Sequence, residues 1–213
     1  MKLYNYFRSS AAYRVRIALA LKGLPYDYLS VHLGKGRQYD ADFGAVSPQN
    51  LVPVLELDDG QRLVQSLAII EYLDETRPQP ALLPSDPIGR ARVRSLAQSI
   101  ACEIHPINNL RVLNYLTKTL GVSDDQRLAW YRHWVLTGFQ ALEARLAGES
   151  RTGTCCHGDE PGLADICLVP QVANARRFAV DLDAFPTIVR IDAHCRSLLA
   201  FQQAAPENQP DSE

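Results

Sequence analysis

Two adjacent serines, Ser9 and Ser10, stand where a β-prone run gives way to a helix-prone one. Serine hydroxyls cap helices, and the backbone N–H groups at a helix start stabilise an anion such as a thiolate. The run Ser9-Ser10-Ala11-Ala12 contains no sulfur. Thiol chemistry here would therefore need a thiol that arrives on a ligand. A plain helix cap accounts for the two serines almost equally well.

Two further features could hold an extended ligand. Val52-Pro53 lies at the start of a predicted hairpin, and Gln65-Ser66 ends a strand and begins a helix. A cis peptide before Pro53 would turn the chain and expose the backbone of Val52 to pair with a peptide. The second helix start offers N–H groups and a hydroxyl to a carboxylate. An edge proline and a plain cap explain each feature alone, but the combination suits a small acidic peptide.

The elements that would position these residues form a unit that closes near residue 80. Its strands are rich in β-branched and aromatic residues, and its helices in Ala, Leu and Arg. The order is βαβ followed by ββα, which resembles the thioredoxin fold, with a parallel right-handed crossover in the first half. The predicted elements span residues 2–6, 11–22, 26–31, 52–57, 61–64 and 67–75. A polar loop rich in Gly, Asp and Gln is expected between the second strand and about Asn50.

The rest of the chain shows helical spacing and no convincing strand. A proline-rich stretch over 78–87 suits a linker, and the polar tail after Pro206 predicts a frayed end. The sequence therefore predicts an α/β thioredoxin-like domain over 1–80, a linker over 81–86 and an all-α domain over 87–213. The helical segments are 87–119, 124–147, 163–178 and 186–204.

Composition narrows the function classes. The net charge is -2, with 22 basic and 24 acidic residues interspersed, so nucleic acid is not an expected partner. Apolar runs fall short of the roughly 20 residues that span a bilayer, so no membrane role is expected. The start shows no signal-peptide pattern, which indicates a cytoplasmic protein. None of the five cysteines forms a C-x-x-C pair or has a His at zinc-site spacing, so no metal is predicted.

The segment from Tyr6 to Leu19 reads Tyr-Phe-Arg-Ser-Ser-Ala-Ala-Tyr-Arg-Val-Arg-Ile-Ala-Leu. It is similar to the signature of the zeta-class glutathione transferases, which is Ser-Ser-Cys, a variable residue, Trp or His, then Arg-Val-Arg-Ile-Ala-Leu. The likeness covers nearly the whole chain, and the family includes the maleylacetoacetate and maleylpyruvate isomerases of aromatic compound catabolism. Further matches lie at residues 50–53, 65–73, 104–109, 168–172 and 175–178.

The resemblance implies the glutathione transferase fold with glutathione as cofactor. The first domain would bind glutathione, and the helical domain would bind the substrate. The glutathione contacts would come from Ser9 and Ser10 at the sulfur, Val52 and Pro53 at the cysteinyl backbone, Gln65 and Ser66 at the γ-glutamyl end, and His105 and Asn109 from the helical domain. Substrate carboxylates would meet Arg8, Arg111 and Arg177.

The implied reaction is cis–trans isomerisation of a conjugated diacid, maleylacetoacetate or maleylpyruvate, to the fumaryl isomer. Transient addition of the glutathione thiolate makes the double bond single, so it rotates and glutathione is not consumed. A first alternative is a zeta-class transferase that conjugates or dehalogenates small electrophilic acids. A second is a non-catalytic binding or regulatory protein, against which Ser9, Gln65, Ser66 and Arg177 argue. Members of the family are usually homodimers, so a homodimer is expected.

Three positions depart from the family pattern. The family cysteine after the serine pair is Ala11 here, and the Trp/His position is Tyr13. The isomerisation needs only the thiol of glutathione, and bacterial relatives that act on maleylpyruvate also lack the cysteine. Ala11 therefore leans toward maleylpyruvate, while both substrates stay open. Gly162 lacks the hydroxyl of a capping box, so only the Asp165 half of that box is expected.

Overall fold

A computed structural model describes the whole chain, Met1–Glu213. The chain forms two compact units. The first comprises Met1–Leu82 together with Ser197–Glu213, and the second comprises Leu83–Arg196. The first unit holds a small mixed sheet with flanking helices, and the second is helical. This architecture confirms the predicted fold class.

The sheet of the first unit has four strands in the order β2-β1-β3-β4. β1 and β2 run parallel, whereas β3 is antiparallel to both β1 and β4. The predicted βαβ and ββα order is therefore confirmed. The strands are β1 (Lys2–Asn5), β2 (Asp27–Ser30), β3 (Val54–Glu56) and β4 (Arg62–Val64).

Helix α1 (Ser10–Leu21) connects the two parallel strands, and its residues from Ala12 to Leu19 are all buried. It packs against α3 (Ser66–Thr76) and against α9 (Leu199–Ala204). Contacts on two sides explain why this helix carries almost no polar face. Arg14 and Arg16 are the two buried charged residues of this helix, and Arg16 donates to oxygen acceptors of Asn5, Tyr6, Phe7 and Ala204.

The loop before β3 contains a short helix that the sequence did not predict. This helix, α2 (Ala41–Val46), buries Phe43 in a cluster with Tyr6, Val52 and Val54. The local sequence around Gly44 is a poor helix former. The tertiary contact of Phe43 with the sheet therefore decides the structure of this segment.

The last residues of the chain belong to the first unit, which differs from the predicted domain range of 87–213. The Arg16 Nε donates to the carbonyl oxygen of Ala204 at 3.0 Å, and the Ser30 hydroxyl donates to Asp211 at 2.6 Å. Gln209 is buried. The prediction of a frayed tail is wrong, because partners distant in sequence hold a segment whose own composition is polar.

In the second unit, the continuous helix predicted over residues 87–119 is instead divided into separate elements. A π-helix (Ser99–Ile104) and a 3-10 turn (Pro106–Asn108) interrupt it. Pro106 cannot continue the backbone ladder, and Asn109 starts a new helix by accepting the Arg111 N–H at 3.1 Å. The helices of this unit are α4 (Pro87–Gln98), α5 (Leu110–Lys118), α6 (Asp124–Gly148), α7 (Leu163–Arg177) and α8 (Pro186–Ser197).

Helix α7 is the most buried of these helices, and its start confirms the predicted half capping box. Asp165 accepts the Gly162 N–H at 2.9 Å, and it also accepts the Cys156 N–H at 2.7 Å. The second contact ties the preceding loop to the helix. None of the helices is both long and apolar enough to cross a membrane.

Candidate active site

The start of α1 has the geometry that the serine pair predicts. Ser9 is the N-cap, and its Oγ accepts the Ala12 N–H at 3.2 Å. Ser10 is the first helical residue and is buried. Helix geometry gives the first-turn amide of Ala11 no carbonyl partner within the helix. Since Ser9 Oγ serves as an acceptor toward the helix, its hydroxyl hydrogen can be donated to an anion in front of it.

The loop before β3 presents a peptide group in the way an extended ligand requires. The Val52-Pro53 bond is cis, the alternative that would expose the Val52 backbone. The Val52 side chain is buried against Tyr6 and Phe7, which fixes the residue. Its N–H and C=O take part in no backbone hydrogen bond of the protein. Both groups are therefore free for antiparallel pairing with a bound peptide.

Gln65 and Ser66 form the second helix start. Gln65 has φ 69° and ψ 112°, a left-handed backbone conformation that is uncommon for a residue with a side chain. Such strain costs about 1–3 kcal/mol and is concentrated at functional sites. Gln65 makes no side-chain cap, and Ser66 is the first residue of α3. The first-turn N–H groups of α3 are thus available to an anion.

The strand register brings these three features to one end of the sheet. Tyr4 pairs with Val54, and Val54 pairs with Val64, in antiparallel ladders. The carboxyl ends of β1 and β4 therefore lie beside the amino end of β3. Arg8 follows β1 at the same end, is exposed, and holds its Cζ 4.7 Å from the Phe7 ring centroid.

The remaining predicted site residues lie in the helical unit. His105, Asn109 and Arg111 follow one another at the junction between the π-helix and α5. Arg111 is exposed in the first turn of α5. Arg177 ends α7, with its Cζ 5.2 Å from the Phe178 ring centroid. Three of the four residues thus share one short segment, and the fourth comes from a different helix.

Ser47 is a positioning residue that the sequence reasoning missed. Its hydroxyl donates to the Leu51 carbonyl at 3.0 Å and accepts the Leu51 N–H at 3.3 Å. The side chain is buried, and it fixes the residue that precedes Val52. The turn composition of Ser47-Pro48-Gln49-Asn50 was the available signal.

The structure also assembles a group of metal-ligand residue types that sequence spacing did not show. Ligand atoms of Cys155, Asp165 and Cys195 lie within 4.8 Å of one another, and all three residues are buried. Burial raises the pKa of Asp165, although its backbone N–H donors act in the opposite direction. Both carboxylate oxygens already accept backbone N–H groups. The group thus has a structural role at the start of α7.

Comparison with known proteins agrees with this geometry. Residues 3–81 match the family model described as the N-terminal domain of glutathione S-transferase. A probable maleylacetoacetate isomerase of Vibrio cholerae is 54% identical over 212 residues, covering 99% of this chain and 97% of that protein. The chain therefore belongs to the glutathione transferase family, and within it to the zeta class.

Two solved structures are similar over the full length of both chains. A maleylpyruvate isomerase, described as a bacterial glutathione transferase of the zeta class, is 54% identical with a TM-score of 0.98 and 100% coverage of each chain. The maleylacetoacetate isomerase of Methylobacterium extorquens AM1, described with bound malonate and glutathione, is 43% identical with a TM-score of 0.97 and the same coverage.

Proposed function

We propose that this protein is a glutathione-dependent cis–trans isomerase that converts a conjugated diacid, maleylpyruvate or maleylacetoacetate, to its fumaryl isomer. The observation that carries the proposal is the meeting of two open helix starts and one unpaired peptide group at one end of the sheet. No cysteine lies at this end. The relatives named above are isomerases of these two substrates, and one of them binds glutathione together with a dicarboxylate.

The residues present fit glutathione. The N–H and C=O of Val52 make no backbone hydrogen bond within the protein and would pair with the backbone of the cysteinyl residue. Gln65, Ser66 and the first turn of α3 would hold the carboxylate of the γ-glutamyl end. Ser9 and Ser10 would lie against the sulfur. His105 and Asn109 are assigned further contacts to the tripeptide from the helical unit.

Bound glutathione supplies a thiol that adds reversibly to the conjugated alkene and so permits rotation about the carbon–carbon bond. The protein has to lower the pKa of that thiol. The Ser9 hydroxyl, the first-turn N–H of Ala11 and the positive end of the α1 dipole all favour the charged sulfur. A hydroxyl that caps its own helix is held in place before the ligand arrives, so little ordering is needed on binding.

The three arginines have the second task. Arg8, Arg111 and Arg177 would bind the two carboxylates of the diacid and offset the negative charge that develops on it. Guanidinium groups suit this role because they stay protonated and bind carboxylates with two parallel hydrogen bonds. Arg8 and Arg177 each lie over a neighbouring ring, which limits the freedom of the side chain.

The decisive experiment follows the ultraviolet absorbance of both purified substrates with saturating glutathione. Ser9→Ala/Ser10→Ala is expected to lower kcat/KM by about 100-fold or more, the size of effect seen when donors to a developing anion are removed. Ser123→Ala is the matched control, because Ser123 caps α6 in the same way, accepting the Gln126 N–H at 3.2 Å. A double variant that turned over at the wild-type rate would refute the proposal.

Free thiol measured during turnover separates isomerisation from conjugation. A constant concentration of glutathione supports the isomerase, whereas its stoichiometric loss would assign the site to a conjugating or dehalogenating transferase. Running both substrates in parallel decides between maleylpyruvate and maleylacetoacetate. Failure to bind a glutathione resin would instead favour a non-catalytic protein.

The proposal extends to assembly and domain roles. We propose a cytoplasmic homodimer in which residues 1–80 bind glutathione and the helical part after the 81–86 linker binds the substrate. The chain mass is 23.7 kDa, so light scattering after size exclusion should report about twice that value. A monomer mass at micromolar concentration would exclude the dimer.

A further inference from the structure

His105, Asn109 and Arg111 lie on a segment in which three short pieces of different helix type follow one another. This π-turn segment, residues 99–111, consists of the π-helix, the 3-10 turn and the first turn of α5. The His105 N–H donates to the Ile100 carbonyl at 2.9 Å, but the Asn108 and Asn109 N–H groups donate to the carbonyls of His105 and Pro106 at only 3.3 and 3.4 Å. π-Helical turns are often found at functional sites. Something other than regular structure must therefore fix these three side chains.

Helix α6 supplies that constraint through three contacts. The Trp130 indole Nε1 donates to the Ile107 carbonyl at 3.0 Å. The buried Asn108 Nδ2 donates to the Tyr131 carbonyl at 3.4 Å. Ile107 and Asn108, the two residues that α6 contacts in this way, lie between His105 and Asn109 in the chain. A shift of α6 would therefore move the residues assigned to glutathione.

The third contact is steric and involves Gly138. A Cβ placed on Gly138 would lie 2.3 Å from Ile104 Cδ1 and 2.4 Å from Ile104 Cγ1. Ile104 is buried and directly precedes His105. Ordinary contact begins at 3.4 Å, so a Cβ at position 138 would require the buried Ile104 side-chain atoms to move by about 1 Å. Tyr131 and Gly138 are seven residues apart, two helical turns, and therefore share one face of α6.

We propose that Gly138 and Trp130 are positioning residues that hold the π-turn segment in register, so that His105 and Asn109 meet glutathione and Arg111 meets the diacid. This inference rests on the proposed function for the identity of the ligands. The placement of the segment by α6 does not depend on it. Neither residue needs to touch a ligand to act in this way.

The central test is Gly138→Ala. Alanine is a better helix former than glycine, so without a clash the change would strengthen α6. We expect instead a 10- to 100-fold weaker glutathione affinity by calorimetry and a comparable fall in kcat/KM, the loss that a misplacement of about 1 Å produces. Amide hydrogen exchange over 105–111, measured on the free protein, should accelerate.

Gly148→Ala is the matched control in the same helix, because a Cβ there meets nothing within 4 Å. Its affinity, turnover and exchange should equal those of the wild type. Ile104→Ala provides the complementary change. In the double variant Gly138→Ala/Ile104→Ala the new Cβ would lie 3.8 Å from the Cβ of residue 104, an ordinary contact. Glutathione affinity in the double variant should recover to within about threefold of Ile104→Ala alone.

Trp130→Phe removes the indole donor and keeps an aromatic ring. We expect a three- to tenfold weaker glutathione affinity, the size of one lost neutral hydrogen bond. Trp134→Phe is its control, since the Trp134 Nε1 is buried and has no hydrogen-bond partner. Equal effects of the two substitutions would show that the indole bond does not position the segment.

The outcomes separate this inference from the proposed function. If the wild type binds glutathione but isomerises neither diacid, the proposed function fails while affinity and exchange still test Gly138. If the wild type binds no glutathione, hydrogen exchange alone tests the constraint. Wild-type affinity and unchanged exchange over 105–111 in Gly138→Ala would overturn the inference.

Discussion

The Arg16 guanidinium donates its Nε–H to the carbonyl oxygen of Ala204, 188 residues away in sequence, at 3.0 Å. The other nitrogens donate to Asn5 Oδ1 and to the carbonyls of Tyr6 and Phe7 at 2.9 to 3.3 Å. Arg16 thereby joins α1, the end of β1 and the C-terminal segment. The carbonyls of Tyr6 and Phe7 belong to the residues that precede Ser9, where the anion site is predicted.

Replacing Arg16 should therefore destabilise the protein strongly. Arg16→Met keeps the aliphatic volume but leaves several buried acceptors without donors, each costing about 1–3 kcal/mol. We expect the free energy of unfolding in urea to fall by about 3 kcal/mol or more. Arg37→Ala is the control, because its ion pair with Asp40 is exposed and should contribute less than about 1 kcal/mol. Equal effects would contradict the structural role of Arg16.

The attachment of the C-terminal segment to β2 should depend on the carboxylate of Asp211. Asp211 accepts hydrogen bonds from the Tyr28 hydroxyl and, at 2.6 Å, from the Ser30 hydroxyl. Burial first, and then the bond to Asp211, raises the pKa of Tyr28, so this phenol stays a donor at neutral pH. Asp211→Ala should accelerate hydrogen exchange over 206–213 and lower stability by about 1–2 kcal/mol. Exposed Glu207, replaced by Ala in the same segment, should change neither.

The thiols should divide sharply by reactivity. Cys102 is exposed, whereas Cys155, Cys156, Cys167 and Cys195 are buried. Burial raises the pKa of Cys156, and a hydrogen bond with Cys155 followed by burial raises that of Cys195. A thiol–disulfide reagent at pH 8 should titrate one thiol quickly and the other four only after unfolding. Cys102→Ser should abolish the fast phase, and a second fast thiol would contradict the burial.

Acid should weaken the sheet through Glu56. Hydrogen bonds from Lys2 at 2.9 Å and Arg62 at 3.0 Å lower the pKa of this carboxyl in the folded state. Its stabilisation is therefore complete above the unfolded-state pKa of about 4.3 and is lost as the pH falls through the lower folded-state value. Urea unfolding at pH 6, 5, 4 and 3 should show a shallower decline for Glu56→Gln than for the wild type. Glu75→Gln, at an exposed position, should follow the wild type.

Replacing Gln65 by glycine should make the protein more stable but weaken its binding of glutathione. Glycine adopts positive φ without steric cost, so Gln65→Gly should raise the free energy of unfolding by about 1 kcal/mol. It also removes the side chain assigned to the γ-glutamyl end, and glutathione affinity should fall about tenfold. Asn50→Gly is the comparison, because Asn50 also has positive φ, at 54°, but asparagine tolerates that region. An unchanged glutathione affinity in Gln65→Gly would remove Gln65 from the proposed site.

Local signals in the sequence were sufficient for the end of the sheet that carries the candidate site. Ser9 caps α1 because capping chemistry acts over a few neighbouring residues. The same holds for the half capping box of Asp165. The resemblance of nearly the whole chain to the zeta class is enough to indicate the family from the sequence. The roles of the site residues remain predictions.

The tertiary structure alone decided the remaining features. Phe43 packs against the sheet and makes the segment around it helical, and Asp211 holds the polar C-terminal segment against β2. In both cases the deciding partner is distant along the chain. Composition and spacing describe what a residue can do with its neighbours. They carry no record of which carbonyl, hydroxyl or apolar face folding will bring beside it.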